Sequence, residues 1–391
     1  MSKSPVSETT HQHVQGAVIK STLQALNTVN RQALLAMISS TVALTSCNKA
    51  PSFSLLSDSQ AFQQNAVVIN NKIDILWVVD NSGSMDPYQQ KLATNFNSFI
   101  TNFQKKGFDF QIGMTTTDAY LGGSNFYNTQ GRSQLRDGGL INSQSNHTGY
   151  PIITPATPNL LTSFVTNATQ GSAGSGDERA FQSLVDTLNN SKNAGFKRPG
   201  SFLAVIILSD EDDFSDAIGA TPSTFRSEGG GSDHNYTSAN LMKTTDLVSY
   251  LDSITASTSS LKMYNVSAIT VKDTACQNTH IQSSVSTVIG QRYIDVATQT
   301  NGIIGNICDA SYADSLNFIQ QRIVELSTQF VLNRTPDPNT LAVTVGGQPV
   351  LQDATNGWTY NATSNSISFH GTAVPQASAA INVNFTPTSL K

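Results

Sequence analysis

The sequence predicts an α/β fold: a doubly wound, mainly parallel sheet flanked by helices, followed by a small C-terminal all-β module. Three observations predict it. Two runs, Ile73 to Val79 and Phe202 to Ser209, are apolar almost throughout, as strands buried on both faces are. From Ile73 onward, segments of strand and helix periodicity alternate, the order of a parallel sheet crossed by helices. After Asn333 the helical patterns stop and short alternating segments replace them.

Each element follows from its own residues. The polar, Ser/Gln/Asn-rich stretch from 48 to 70 reads as a tether. Ile73 to Val79 is the first strand. Asp86-Pro87 starts a helix, with Pro near its first position, and Leu92, Phe96, Phe99, Ile100 and Phe103 recur along it at helical spacing. Phe110 to Thr116 is a second strand. The long polar stretch from Asp118 to Asn159 leaves room for a short edge strand. Ala180, Phe181, Leu184, Val185 and Leu188 mark an amphipathic helix. Phe202 to Ser209, the most apolar strand, belongs at the centre of the sheet. A Gly-rich loop, Ser215 to Asn240, precedes a helix bearing Leu247, Leu251 and Ile254. Tyr264 to Val271 is a further strand, and Leu316, Ile319, Ile323 and Leu326 line a final helix. Thr335-Pro336-Asp337-Pro338 then breaks the pattern. Leu341 to Val345 runs into Gly346-Gly347, a hairpin turn signal, and Gly357 to Tyr360, Ser366 to Phe369 and Ala380 to Phe385 follow as short strands. A module of this size is marginal alone and needs to dock on the larger domain, which spans 71–332.

With 391 residues the chain can bury a proper core. Only 13% of residues are charged, about half the usual share. The net charge of −5 gives no reason to expect nucleic acid or anionic lipid as a partner. Residues 1 to 47 stand apart. Ala33 to Ser46 is an apolar stretch too short to span a bilayer as a helix, which needs about 20 residues. Arg31 precedes it and Leu44-Thr-Ser-Cys47 closes it, which resembles the signal peptide and lipobox of bacterial lipoprotein precursors. That resemblance implies a lipid on Cys47 and a place in the cell envelope. Asn48, where an Asp would retain some lipoproteins at the inner membrane, points to the outer membrane. Cys276 and Cys308 remain, and in an exported chain two cysteines most simply form a disulfide. Zinc is disfavoured there, because His280 is the sole further ligand nearby and a structural site wants four.

The chemistry gathers at the strand ends. Asp80-Asn-Ser82-Gly-Ser84 follows the first buried strand, at the carboxyl edge where open α/β sheets place their sites. It supplies one carboxylate and two hydroxyls at alternate positions, with Gly83 expected to let the loop curl. Oxygen donors around a small cavity suit a hard divalent ion, Mg²⁺ before Mn²⁺ or Ca²⁺. The bland alternative is an Asp and Ser cap on the following helix.

Asp-x-Ser-x-Ser after a buried strand resembles the metal-ion-dependent adhesion site of von Willebrand factor type A domains, over roughly Lys72 to Gln329. The resemblance implies a type A-like fold, a second-loop hydroxyl and a third-loop Asp. Asp210, ending the central strand in Ser209-Asp210, matches the third loop. The second loop, Gly171 to Glu178, lacks the family's usual Thr, so Ser175 stands in for it, with Asp177 as the alternative; Asp213 is a further candidate, acting through water. Gly-Ser-Gly-Asp-Glu and Ser-Asp-Glu-Asp-Asp resemble bacterial lipoproteins that carry this domain more than integrins.

The implied function is binding of a protein ligand that offers a carboxylate to a Mg²⁺ held by Asp80, Ser82, Ser84, Ser175 and Asp210. The loops at 118–159 and 215–240 would select that ligand. A structural subunit of an envelope or secretion assembly, with the ion only fixing loops, is the alternative. Enzyme readings fare worse. The Gly171 to Glu178 loop has no Gly-Lys-Ser/Thr, the six His residues form no His-Glu-x-x-His, and no Gly-x-Ser-x-Gly is present. A phosphohydrolase with Asp80 as nucleophile would want a Lys by the acidic loops, and none accompanies them.

Overall fold

The computed structural model describes residues 62–68, 71–120, 133–141, 144–218, 234–282 and 287–388. The expected signal peptide, Cys47 and the start of the tether lie outside them. Among the described residues no helix is long and apolar enough to cross a membrane.

The tether reading is corrected at its end. Phe62–Val68 is a strand, β1. It pairs antiparallel with the last strand of the chain, whose edge would otherwise expose unpaired backbone groups. Next come β2 (Lys72–Val79), α1 (Asp86–Lys105) and β3 (Asp109–Thr116). Within the polar stretch a hairpin forms from β4 (Gly138–Ile141) and β5 (Gln144–His147), and β6 (Ile152–Ile153) is the anticipated edge strand. Then follow α2 (Leu160–Ala168), α3 (Ala180–Asn189), β7 (Phe202–Ser209), α4 (Thr244–Ile254) and β8 (Tyr264–Thr270). The larger unit closes with α5 (Thr274–Gln282), α6 (Gln291–Gln299), β9 (Ile304–Asn306) and α7 (Ala313–Ser327).

The main sheet has six strands in the order β6-β3-β2-β7-β8-β9. All neighbours are parallel except β6, which runs antiparallel to β3. Strand β2 is buried from Ile73 to Val79 and β7 throughout. Ile73, Ile75, Trp77 and Val79 pack with α1, α2 and α7 on one face. Leu76 and Val78 pack with α3, α4 and α6 on the other. The chain winds outward from β2 to β3 and, in the opposite direction, from β7 to β8. The order therefore reverses between β2 and β7, and a crevice at such a switch point is where open α/β sheets bind ligands.

The C-terminal strands are β10 (Phe330–Val331), β11 (Ala342–Val345), β12 (Gln348–Val350), β13 (Trp358–Asn361), β14 (Ser366–Phe369) and β15 (Ala380–Phe385). They form two antiparallel sheets, β1-β15-β11-β12 and β10-β14-β13. Gly346 and Gly347 make the predicted two-residue turn, with φ of 56° and 81°, a pair of positive values that favours Gly. Val343, Trp358, Ile367, Phe369, Ile381, Val383 and Phe385 share one apolar core with α1 and α7. Docking is therefore by a continuous core. Cys276 and Cys308 are bonded, joining α5 to the segment after β9.

Candidate metal centre

Ladder hydrogen bonds carry three segments to the same sheet edge. Asp80 N donates to Leu208 O at 2.9 Å, which sets the end of β2 beside the end of β7, and Thr117 N donates to Val79 O at 3.2 Å. Asp80 and Asp210, both fully buried, thus flank the switch point. Ser82 N donates to Asp80 Oδ1 at 2.8 Å and Ser209 Oγ to Asp80 Oδ2 at 2.6 Å. The hydroxyls of Ser82 and Ser84 stand 3.4 Å apart, and Ser84 Oγ donates to Asp210 Oδ1 at 3.1 Å. Four of the five expected donors are therefore joined through short contacts.

The fifth lies in the adjoining loop. Gly174 N donates to Asn81 O at 2.7 Å. A Cβ on Gly174 would meet Asn81 Cγ at 2.5 Å and Asn81 O at 2.6 Å, so only Gly permits this approach. It brings Ser175 alongside the motif loop. Ser175 N donates to Asp118 Oδ2 at 3.3 Å, and Ser175 Oγ accepts from Asp177 N at 3.1 Å. Gln89, fully buried on α1, locks the same loop. Its Nε2 donates to Asp80 O at 2.7 Å and Gly171 O at 2.9 Å, while its Oε1 accepts from Gln170 N at 2.9 Å and Gly171 N at 3.1 Å.

The alternative ligands are otherwise engaged. Asp177 Oδ2 accepts from Arg179 Nε at 3.0 Å and from the Tyr120 hydroxyl at 3.2 Å. Burial opposes its charge, but His234 and Arg179 outweigh this and hold its carboxyl below the usual range. Asp213 caps α3 through Phe181 N at 2.9 Å and takes Ser215 Oγ at 2.7 Å and Arg292 at 3.4 Å. Gly83 does not perform the role expected of it. Its φ is not in the left-handed region, and a Cβ there meets nothing within 4 Å.

Electrostatics single out this edge. Burial, then the charge of Asp210, push the Asp80 carboxyl up to about 8. Burial first, with Glu211 adding to it, pushes Asp210 up to about 6. A third carboxylate, missed in the sequence, belongs to the cluster: Glu178 is fully buried, and burial and the charges of Asp80 and Glu211 raise it well above the ordinary range. Asp210 Oδ2 and both Glu178 carboxylate oxygens have no hydrogen-bond donor among the described residues. Buried like charges without donors are costly unless a cation or proton joins them. Hydroxyl and carboxylate oxygens with spare lone pairs are the donor set a hard divalent ion takes. The residues fit the ion.

Elsewhere, Cys276, His280 and Cys308 bring their side chains together. The sulfurs are bonded to each other, so neither is a thiolate ligand. The loop flanks also reach the edge. Ser175 meets Asp118, His234 lies 3.5 Å from Asp177, and the His234 and Tyr236 rings meet Phe214 edge to face. The remainder of both loops, 121–132, 142–143 and 219–233, lies outside the described residues.

No protein-family model matches the sequence, and no curated protein does. Solved structures that the chain matches include the pilus adhesin SpaC from Lactobacillus rhamnosus GG in its open conformation. It is 14% identical, the match covering 82% of this chain and 39% of that one, with a TM-score of 0.35. Proximal thread matrix protein 1 from the mussel byssus is 11% identical over 70% of this chain and 51% of its own, with a TM-score of 0.32. The pilus adhesin RrgA from Streptococcus pneumoniae is 10% identical over 83% and 58%, with a TM-score of 0.28. The chain spans less than two thirds of each. Similarity at this level assigns no function, which rests on the site.

Proposed function

We propose that this chain is a von Willebrand factor type A-like binding module that takes a protein ligand through a divalent ion, and that it performs no catalysis. Asp80, Ser82, Ser84, Ser175 and Asp210 would hold Mg²⁺, directly or through water, with Mn²⁺ or Ca²⁺ as substitutes. The ion supplies a Lewis-acidic point at which a carboxylate can bind. The chain's own residues do the rest. Ser82 N and Ser209 Oγ fix the Asp80 carboxylate, Ser84 fixes Asp210, and Gln89 holds the second loop against them. Exposed Gly83 leaves the mouth of the site uncovered by a side chain. The observation that carries the reading is the meeting of Asp80, Ser82, Ser84 and Asp210 at the switch point of the sheet. A lipid on Cys47 would hold the module to the cell envelope, on the outer membrane.

The test is capture from envelope extract by the purified chain, in Mg²⁺ and in EDTA. Binding lost in EDTA and in Asp80→Ala, with the fold intact by circular dichroism, is the expected result. A partner retained equally in both would make the ion a brace for the loops and the chain a structural subunit.

A further inference from the structure

Helix α5 and the segment after β9 meet at a group that the adhesion site does not use. Cys276 and His280, four positions apart, stand on one face of α5, and Cys308 reaches them from the segment. Their ligand atoms, two sulfurs and an imidazole nitrogen, all lie within 4.8 Å of one another. Cys276 and His280 are buried, and Cys308 is half-buried. The Tyr88 hydroxyl stands 3.0 and 3.2 Å from the two ring nitrogens of His280. It can engage one of them and leave the other for a metal, as the outer partners of metal-binding histidines do. Burial first, and the Lys91 ammonium second, hold the ring below its usual range, which favours the neutral imidazole that binds metals. Lys91 also donates to Ile307 O at 3.1 Å and Asp309 O at 2.6 Å, on either side of Cys308. Cys276 lies in the first turn of α5, where its N–H donates to Asp273 at 2.9 Å. A nearby cation and a helix N-terminus both favour thiolate over thiol once the bond is open.

We propose that Cys276, Cys308 and His280 form a reduction-gated site for copper(I), closed as the disulfide and open to the metal when that bond is reduced. Opening takes a dithiol. Its thiolate attacks the half-buried Cys308 sulfur, and Cys276 leaves as a thiolate at the helix N-terminus. The second thiol of the reductant then closes its own disulfide and releases Cys308. Two electrons and two protons pass to the chain, and both protons leave again as the sulfurs take the metal. Soft sulfur ligands select copper(I), which is satisfied by three ligands, whereas a structural zinc site wants four. Bonds of about 2.0–2.3 Å, as nitrogen and sulfur ligands form, set three ligand atoms about 3.5–4 Å apart around one ion, within the 4.8 Å spread of this group. Two thiolates and one copper(I) leave a single negative charge, which Lys91 offsets. The ion keeps α5 tied to Cys308 after the disulfide is gone. The site is separate from the adhesion site, and neither depends on the other.

The test uses the full chain with Cys47→Ser in every sample, because Cys47 is the third cysteine. Protein reduced with a phosphine, then freed of it without oxygen, is titrated with copper(I) against a chromophoric chelator, with native mass spectrometry for stoichiometry. The reduced protein should bind one equivalent, and the disulfide form none at the same chelator concentration. Cys308→Ser should weaken binding about a hundredfold and His280→Ala about tenfold, the range that losing metal-site groups costs. Copper-edge X-ray absorption of the reduced protein should show two sulfurs and one nitrogen, a signature that does not depend on how well any variant folds. No copper on the reduced protein, or copper held by sulfur alone with affinity unchanged in His280→Ala, would overturn the site.

Discussion

Asp80 receives hydrogen bonds from Ser82 N and Ser209 Oγ, which favour its charge, yet burial and Asp210 prevail and its proton stays on up to about pH 8. In the unfolded chain the same group titrates near 3.8. Between those values the native, metal-free protein binds more protons than the unfolded chain, so its stability falls as pH rises from about 4 to 8. Thermal unfolding in EDTA should show a lower midpoint at pH 8 than at pH 5, and Asp80→Asn should flatten the trend. A rise toward pH 8 would contradict this. Saturating Mg²⁺ takes the proton's place, so its stabilising effect should grow with pH. The glycines make a paired prediction. Gly83→Ala should leave fold and metal affinity unchanged, because its Cβ meets nothing. Gly174→Ala, forced against Asn81, should cost roughly 1–3 kcal/mol in thermal unfolding and weaken metal binding by displacing Ser175. Equal behaviour of the two variants would refute the assignment. At this scale Asp80, Ser82, Ser84 and Asp210 were legible because each follows a strand end within a local pattern. Glu178 and Gln89 were not, since their roles arise from contacts that only the fold creates; Gln89 meets Gly171 from 82 positions away.

Among the elements, α1 both starts from the motif loop and clamps the second loop through Gln89. Gln89→Leu would strip partners from Gly171 O, Gln170 N, Gly171 N and Asp80 O, and an unsatisfied buried group costs about 1–3 kcal/mol. The expected outcome is a lowered unfolding midpoint with metal affinity reduced in the folded protein, and calorimetry showing wild-type affinity would deny the clamp. Helix α5 rests on different support. Its sequence, Thr-Ala-Cys-Gln-Asn-Thr-His-Ile-Gln, has almost no apolar stripe, and it is held by the disulfide to Cys308 and by His280, whose ring lies on Tyr88 of α1 with centroids 5.5 Å apart. Paired Cys→Ser substitutions should cost roughly 3–4 kcal/mol for a loop of this length and speed hydrogen exchange over Thr274–Gln282, whereas unchanged exchange would show that the helix stands without the bond. The weak stripe is also why α5 was not foreseen, and β9 (Ile304–Asn306) is too short to show a period. Strands β2 and β7 were legible because burial on both faces leaves little choice but a run of apolar residues.

Across the whole molecule, the β strands at the C-terminus and the larger unit share one core, with Trp358 and Phe369 in the same cluster as Phe96 and Phe103. Strand β1 closes the edge of β15 from the far end of the chain, a pairing that polar residues Gln63, Gln64 and Asn65 disguised as tether. The architecture places the reversal of strand order, two buried aspartates and two serine hydroxyls at one point of the sheet's carboxyl edge. The central claim is that this point binds a divalent ion. Hard cations depend on charged oxygen ligands, and Asp80→Ala removes one of them at a buried position where Ser82 N and Ser209 Oγ lose their acceptor, so the variant's fold is checked by circular dichroism. An ion that binds only the native state raises stability logarithmically with its concentration. The direct test is calorimetric titration of Mg²⁺ and Mn²⁺ into wild type and Asp80→Ala at one pH, with thermal unfolding measured alongside. Saturable binding by wild type with a rising midpoint, both lost in a folded Asp80→Ala, is the predicted result; equal binding by the two proteins, or none by either, would reduce the motif to a capped helix start.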